Sequence, residues 1–461
     1  MVFLLLSLIF GPLIIAVTPP MRGPDEPAHF IRAYGLSQGQ IIPSLVDADG
    51  RRGIFIPASL QRQMVGFDQA RKKLKDPDLS YPDVFARDAR LRRETSAAER
   101  EQKVFARYDG TEAYSPVPYL PYLPAVAVAR LLELDFLATI YLMRATGFLL
   151  LTALMAYAIA LAPRLQWSFL LIAMLPSSLF ARATLSSDGA SLTLAMLVTA
   201  VSLRSALSMP AGNVWARSLW MSLCALAKPP QIAFALLELM RWPSGRNARG
   251  WAAAATVMMP ALALPVAWAV VSGADIAVSR MIAGTGLPAE HYDPIWKLRF
   301  MIEHPRHFPR LLYLSMFDVY YYWEQLIGVL GWLDAPLQPW LYPLLTACLV
   351  AVLAAPLGGD PATRLRIGCV AAVSAVGYCL AVFMIFYLVW TRIDDWHIYG
   401  VQGRYFVPVL PVVAIAVSAL LNRGLPQAVQ AWIAVVAATV SGGAVVEAVL
   451  VADWKFSLPS F

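Results

Sequence analysis

Charged residues are scarce, making up 15% of the 461 positions, where a soluble domain carries roughly 25%. That shortage excludes an ordinary water-facing globule. The hydrophobic residues, 59% of the chain, gather instead in apolar runs near the roughly 20 residues that carry a helix across about 30 Å of hydrocarbon. Cysteine is sparse too. Cys224, Cys348, Cys369 and Cys379 all fall inside apolar runs without paired or metal-ligand spacing, which excludes a disulfide framework and reads them as small core residues. No internal repeat and no low-complexity tract interrupts the chain. The first apolar run, Val2 to Val17, lacks a basic start and ends in Thr18-Pro19-Pro20 rather than a small-residue cleavage site, so it is expected to stay as the first spanning helix. The formal net charge of +7 does not choose a partner, since loop Lys and Arg serve topology and anionic lipid as readily as an anionic substrate. Membrane lipid is an expected partner and nucleic acid is not.

What is there predicts an all-α polytopic membrane protein with about eleven transmembrane helices. The chain divides into a first transmembrane helix (1–19), a large external loop with juxtamembrane helices (20–135), transmembrane helices two to seven (136–272), a second external segment (273–337) and C-terminal transmembrane helices (338–461). The spans after the first are expected at about 136–162, 166–182, 188–208, 214–227, 229–241, 249–272, 338–356, 366–392, 405–421 and 426–452. A cytoplasmic N-terminus places Pro163-Arg164, Arg241 to Arg249, Arg364 to Arg366 and Asn422-Arg423 on the inner side, as the positive-inside tendency requires of short loops. The long loop then lies outside. Within it, Arg71 to Lys75 and Arg87 to Arg107 form mixed-charge stretches of helical character that read as amphipathic helices. The four prolines between Tyr114 and Pro124 break any regular helix and lead back to the membrane surface, and the stretch from Ala125 to Leu134 is too short to span. An aromatic patch from Tyr313 to Trp323 looks interfacial.

With this topology the polar clusters gather at the external boundary: Arg22 to His29, Ser186-Ser187-Asp188, Lys228-Pro229-Pro230-Gln231, Trp332-Leu333-Asp334 and Asp394 to Tyr405. Ionisable groups at membrane depth are costly and usually face a protein cavity, so one-sided clustering predicts an external, membrane-level site. Glu26 before Pro27 is expected to cap a helix, projecting Asp25 and Glu26 from its positive end. Either carboxylate serves as a cap or, held against a substrate hydroxyl, as a general base. His29, four residues after Asp25, falls on the same helical face and can orient it or join it at a metal. Ser187-Asp188 reads equally as a cap pair or a functional one. Lys228, beside a helix break, suits a phosphate, as does Arg404 in Gln402-Gly403-Arg404-Tyr405, where the glycine permits close backbone approach. Arg144 is a weaker candidate for the same task.

The ordered set Pro24 to His29 (Pro-Asp-Glu-Pro-Ala-His), Tyr114 to Pro116 (Tyr-Ser-Pro), Ser187-Asp188, Gly328 to Asp334 (Gly-Val-Leu-Gly-Trp-Leu-Asp) and Gln402 to Pro408 (Gln-Gly-Arg-Tyr-Phe-Val-Pro) covers nearly the whole chain. It resembles the predicted bacterial membrane proteins of domain-of-unknown-function family 2142. That family looks like a branch of the GT-C membrane glycosyltransferases, which take a sugar from a polyprenyl phosphate carrier on the external leaflet. The resemblance implies a bacterial inner-membrane enzyme with its active site on the periplasmic side, a polyprenyl-phosphate-linked sugar as donor and a glycan or lipid as acceptor. It places a catalytic carboxylate in the first external loop, where Asp25 stands with Glu26 beside it. Arg404, Lys228, His29, Asp188, Gln402, Tyr405, Tyr114 and Asp334 are the expected substrate- and phosphate-binding residues. Some GT-C enzymes bind a divalent cation, Mg or Mn, through an acidic pair in the second external loop, but only Asp188 stands there, and no metal ligand is assigned. Two other functions fit the same sequence: a transporter or flippase of lipid-linked sugars, and a non-catalytic subunit of a polysaccharide assembly complex.

Overall fold

The computed structural model describes residues 1–72, 80–94, 96, 101–241, 248–273 and 293–455. Expected features at 73–75, in the inner basic loop at 242–247 and in the second external segment at 274–292 lie outside the described residues. Among those described, the apolar runs form helices, as uninterrupted hydrophobic sequence in lipid must, because a helix satisfies every backbone N–H and C=O internally. Six helices are long and apolar enough to cross a membrane: Phe136–Leu161, Ser187–Ala206, Ala248–Ser272, Pro361–Val389, Gly403–Leu421 and Gln427–Trp454. Shorter apolar helices at Val2–Val17, Val214–Ala227 and Leu341–Leu353 accompany them.

Two expected spans take other forms. The run at 166–182 breaks at Leu175 into Gln166–Met174 and Pro176–Ala183, because Pro176 has no N–H to donate and restricts the residue before it. The run at 229–241 is wound as a 13-residue 3-10 helix, Pro229–Arg241. At a rise of roughly 2.0 Å per residue that winding covers about 26 Å, farther than an α-helix of equal length.

Ser187–Ala206 is the central helix, with 94% of its apolar window buried, whereas Ala248–Ser272, at 11%, is peripheral. The first helix packs against Phe136–Leu161 and Gln427–Trp454. Close approach to the former depends on Gly11, where a Cβ would fall 2.0 Å from a ring carbon of Phe148.

The large loop is not purely helical. Gly53–Pro57 and Lys103–Arg107 pair antiparallel, Gly53 opposite Arg107, so among the described residues of the stretch to Arg107 the helical reading holds over Tyr81–Glu94 and fails over the strand Lys103–Arg107. Alternation explains the strand: Ile54 and Ile56 point inward while Phe55 is exposed. Ala58–Lys72 packs on this ribbon and against Tyr81–Glu94, and Met64, Phe67 and Tyr81 join Phe30, Tyr108 and Phe136 in a second core that continues into the membrane helices. A further two-residue ribbon, Val329–Leu330 with Ala335–Pro336, forms a tight hairpin beside the first helix's exit.

Candidate functional site

The segment leaving the first helix is held from three directions. Arg144, on the helix Phe136–Leu161, donates from Nη1 to the Thr18 carbonyl (2.6 Å) and from Nη2 to that of Pro19 (2.9 Å). The same guanidinium grips Glu26 through Nε to Oε1 (2.8 Å) and Nη2 to Oε2 (2.7 Å), and both side chains are fully buried. Glu26 also accepts from the backbone N–H groups of Leu185 (3.0 Å) and Gly23 (3.0 Å). Arg22, equally buried, pairs with both oxygens of Asp334 at 2.9 Å and with Asp453 at 2.6 Å. Of the residues expected at the site, Glu26 and Arg144 thus form an internal pair with each other, and Asp334 pairs with Arg22.

Asp25 emerges differently. It precedes the helix Glu26–Ser37 with a left-handed backbone (φ 53°) and makes no side-chain cap bond, so the cap position belongs to Asp25 and not to Glu26. Aspartate tolerates this conformation better than most residues, though at some cost. Its side chain is 53% exposed and lies 3.6 Å from Arg404 Nη2. Asp188, in the first turn of the central helix, likewise caps nothing. It is ion-paired to Lys228 and stands 3.4 Å from Arg404 Nε.

Arg404 is placed by a backbone contact. A Cβ on Gly403 would sit 1.8 Å from the Tyr322 carbonyl oxygen, and the Gly403 N–H donates to Gln325 Oε1 at 2.7 Å. Only glycine lets the tight helix Gly403–Val409 lie this close to Val319–Gly328. The Tyr405 ring then carries both cations, Lys228 Nζ 4.7 Å and the Arg404 guanidinium carbon 5.3 Å from its centroid.

The proline-rich segment closes the other side. Ser115 Oγ donates to the Leu226 carbonyl (2.6 Å) and Tyr122 Oη to that of Ser186 (3.1 Å), pinning it to the ends of two membrane helices. Tyr114 meets His29 edge-on at 5.7 Å, and His29 Nδ1 lies 2.8 Å from Tyr119 Oη. Burial pushes the imidazole down to about 4 and raises the Tyr119 phenol, so His29 is neutral at pH 7.

The structure therefore gathers Asp25, His29, Tyr114, Asp188, Lys228, Arg404 and Tyr405, from five separated stretches of sequence, into one cluster beside a cavity that Asp25, His29 and Tyr114 do not themselves line. Pro24, Asp188, Lys228, Arg404 and Tyr405 line it. Its volume is about 40 Å³, room for one water at about 30 Å³ apiece but not for a sugar. Gln402 stays outside the lining, its Oε1 buried without a partner among the described residues. Sequence reasoning missed Ser177, Ser178 and Tyr378, which also line the cavity; the break at Pro176 was the available signal for the serines.

The basic pair is the chemically distinctive part. Arg22, Arg32, Arg144 and Arg182 are buried, and each places at least two N–H groups 2.6 to 3.1 Å from oxygen. Arg404, with a side chain only 14% exposed, has no contact to oxygen nearer than 3.4 Å among the described residues, beyond ordinary hydrogen-bond length. A guanidinium so placed is suited to bind an anion. A divalent cation fits less well, because Asp188 already neutralises Lys228, and among the described residues no three His, Cys, Asp or Glu side chains converge as a metal site.

In comparisons with known proteins, no curated protein and no solved structure matched. A family model described as "Predicted membrane protein (DUF2142)" matched residues 8–413. The chain belongs to this family of membrane proteins.

Proposed function

We propose that this protein is an inverting membrane glycosyltransferase of the GT-C type, moving a sugar from a polyprenyl phosphate carrier to a glycan or lipid acceptor. In this reading it crosses the inner membrane of a bacterium about eleven times, N-terminus inside, with the cavity lined by Lys228 and Arg404 facing the periplasm. The observation that carries the reading is the under-coordinated Arg404 guanidinium beside Lys228, with the half-exposed Asp25 carboxylate 3.6 Å away. Asp25 takes the proton of an acceptor hydroxyl as its oxygen attacks the anomeric carbon. The bond from that carbon to the carrier phosphate breaks with its electron pair leaving on the phosphate oxygen, where Arg404 and Lys228 stabilise the developing charge. Asp188 pairs with Lys228 and stands 3.4 Å from Arg404, and the incoming phosphate takes its place as the cavity widens.

The test is a transfer assay on purified, lipid-reconstituted protein with a panel of polyprenyl-phosphate sugars, with and without chelator. Transfer that collapses in Asp25→Asn while carrier binding persists supports the proposal. Carrier binding or translocation without transfer of any sugar, unaffected by Asp25→Asn, overturns it in favour of a transporter or scaffold. Loss of activity on chelation would show that a metal takes part.

A further inference from the structure

A second, larger cavity of about 490 Å³ lies on the far side of the hairpin Val329–Pro336 from the first. The hairpin is the partition between them. Val329 lines both cavities, Gly331 lines the first, and Leu333 and Pro336 line the second. Leu333 adopts a left-handed backbone (φ 64°), unfavourable for a branched side chain, and there it turns its side chain to the second cavity. Tyr342 pins the hairpin base, accepting from the Leu337 N–H (3.0 Å) and donating to the Gly328 carbonyl (3.2 Å).

The two linings are opposite in charge. The first holds Lys228 and Arg404. The second holds Glu324 and Glu447 and no Lys, Arg or His. Each carboxylate is oriented by a neighbour, Glu447 by Gln338 Nε2 at 2.8 Å and Glu324 by the Tyr320 hydroxyl, and a carboxylate has about four acceptor positions, so both keep capacity for further donors. Tyr320 and Tyr321, 64% and 48% exposed, present ring surface at the same cavity. A phosphate or an anionic lipid headgroup is repelled here. A molecule with many hydroxyl donors and apolar C–H faces is matched on both counts, and the volume lies within the usual range for small-ligand sites.

We infer that this cavity binds an uncharged, polyhydroxylated glycan, which makes it the acceptor subsite of the proposed reaction. The inference rests on that reading for the word acceptor, but the binding site stands on its own geometry. Val329 lines both cavities, which sets an acceptor here next to the donor cavity.

The experiment uses full-length protein in phosphatidylcholine nanodiscs, with maltotriose and triacetylchitotriose as glycan probes and undecaprenyl phosphate as donor-side probe, binding followed by calorimetry. Wild type is expected to bind at least one trisaccharide saturably. Glu324→Ala/Glu447→Ala should weaken that binding at least tenfold and leave undecaprenyl phosphate binding unchanged. Ala448→Phe, which fills the cavity from the helix Gln427–Trp454, should do the same and serves if the double variant fails to fold. Lys228→Ala should show the reverse pattern. No saturable trisaccharide binding, or binding undiminished in folded variants, overturns the inference. Trisaccharide binding at the glutamates with no undecaprenyl phosphate binding in wild type leaves this site standing and removes the donor reading instead.

Discussion

Asp25 and Glu26 are adjacent and chemically near-identical, yet they should respond to neutralisation in opposite ways. The Glu26 carboxylate accepts four hydrogen bonds, two from Arg144 and two from backbone N–H groups, in a fully buried setting. In Glu26→Gln the amide offers one acceptor oxygen and turns an NH2 toward groups that are themselves donors, and Arg144 keeps an uncompensated charge. Breaking one side of such a pair costs about 3–5 kcal/mol. Asp25 is half-exposed, and its nearest cation stands 3.6 Å away, a contact worth about 1 kcal/mol or less. Asparagine also accepts the left-handed backbone at least as well as aspartate. Asp25→Asn should thus unfold within a degree or two of wild type while transfer falls roughly 10²- to 10⁴-fold, the usual loss of a general base. Glu26→Gln should melt several degrees lower. Melting in detergent followed by tryptophan fluorescence, alongside the transfer assay, measures both. A folded Asp25→Asn protein retaining a tenth or more of wild-type transfer, or a Glu26→Gln protein with unchanged melting, would refute the division of roles.

Three further outcomes follow from the geometry. Gly403→Ala drives a methyl into the Tyr322 carbonyl at 1.8 Å and should destabilise by about 1–3 kcal/mol while weakening polyprenyl phosphate binding through displacement of Arg404, read by melting and by calorimetry. The His29 pKa falls from 6.5 to about 4 on burial, so between those values the unfolded chain binds the extra proton. The stability from His29 is complete above about pH 6.5 and declines as pH falls toward 4, and His29→Asn should flatten the melting-versus-pH curve in that window alone. Lys297 Nζ, fully buried, donates to the carbonyls of Tyr387 (3.1 Å), Leu388 (3.1 Å) and Thr391 (2.5 Å) at the C-terminal end of Pro361–Val389. Lys297→Met should cost about 2–3 kcal/mol, seen as a lowered melting temperature with donor binding intact.

What could be read from the sequence and what could not divide along a physical line. Apolar run length reports whether a segment enters lipid, so the long helices fall where the runs do. It does not report how tightly a run winds, so Pro229–Arg241 escaped notice as a 3-10 helix. Local motifs mark where polar groups meet the membrane boundary, and Asp25, Asp188, Lys228 and Arg404 did prove neighbours. Which of those groups is already occupied depends on partners hundreds of positions away: Asp334 on Arg22, 312 residues apart, and Glu26 on Arg144, 118 apart. Spacing carries no trace of such pairs. Asp25 has a left-handed backbone just outside the helix that Glu26 opens, so the two side chains diverge, Glu26 inward to Arg144 and Asp25 half-exposed beside Arg404.

The buried arginines extend the same logic to function. Placing a guanidinium in a low-dielectric interior is expensive unless its N–H groups are met, and Arg22, Arg32, Arg144 and Arg182 pair at 2.6 to 3.1 Å. Arg404 departs from that pattern, although Asp25 and Asp188 stand close enough to have paired with it at normal length. Gly403 brings the backbone that carries it against Val319–Gly328. A guanidinium 3.4 to 3.6 Å from its carboxylates keeps N–H groups available to a third group, such as an anion brought by a substrate. On that ground Arg404, rather than the better-bonded Arg144 or Arg22, is the residue we propose as the contact to the ligand.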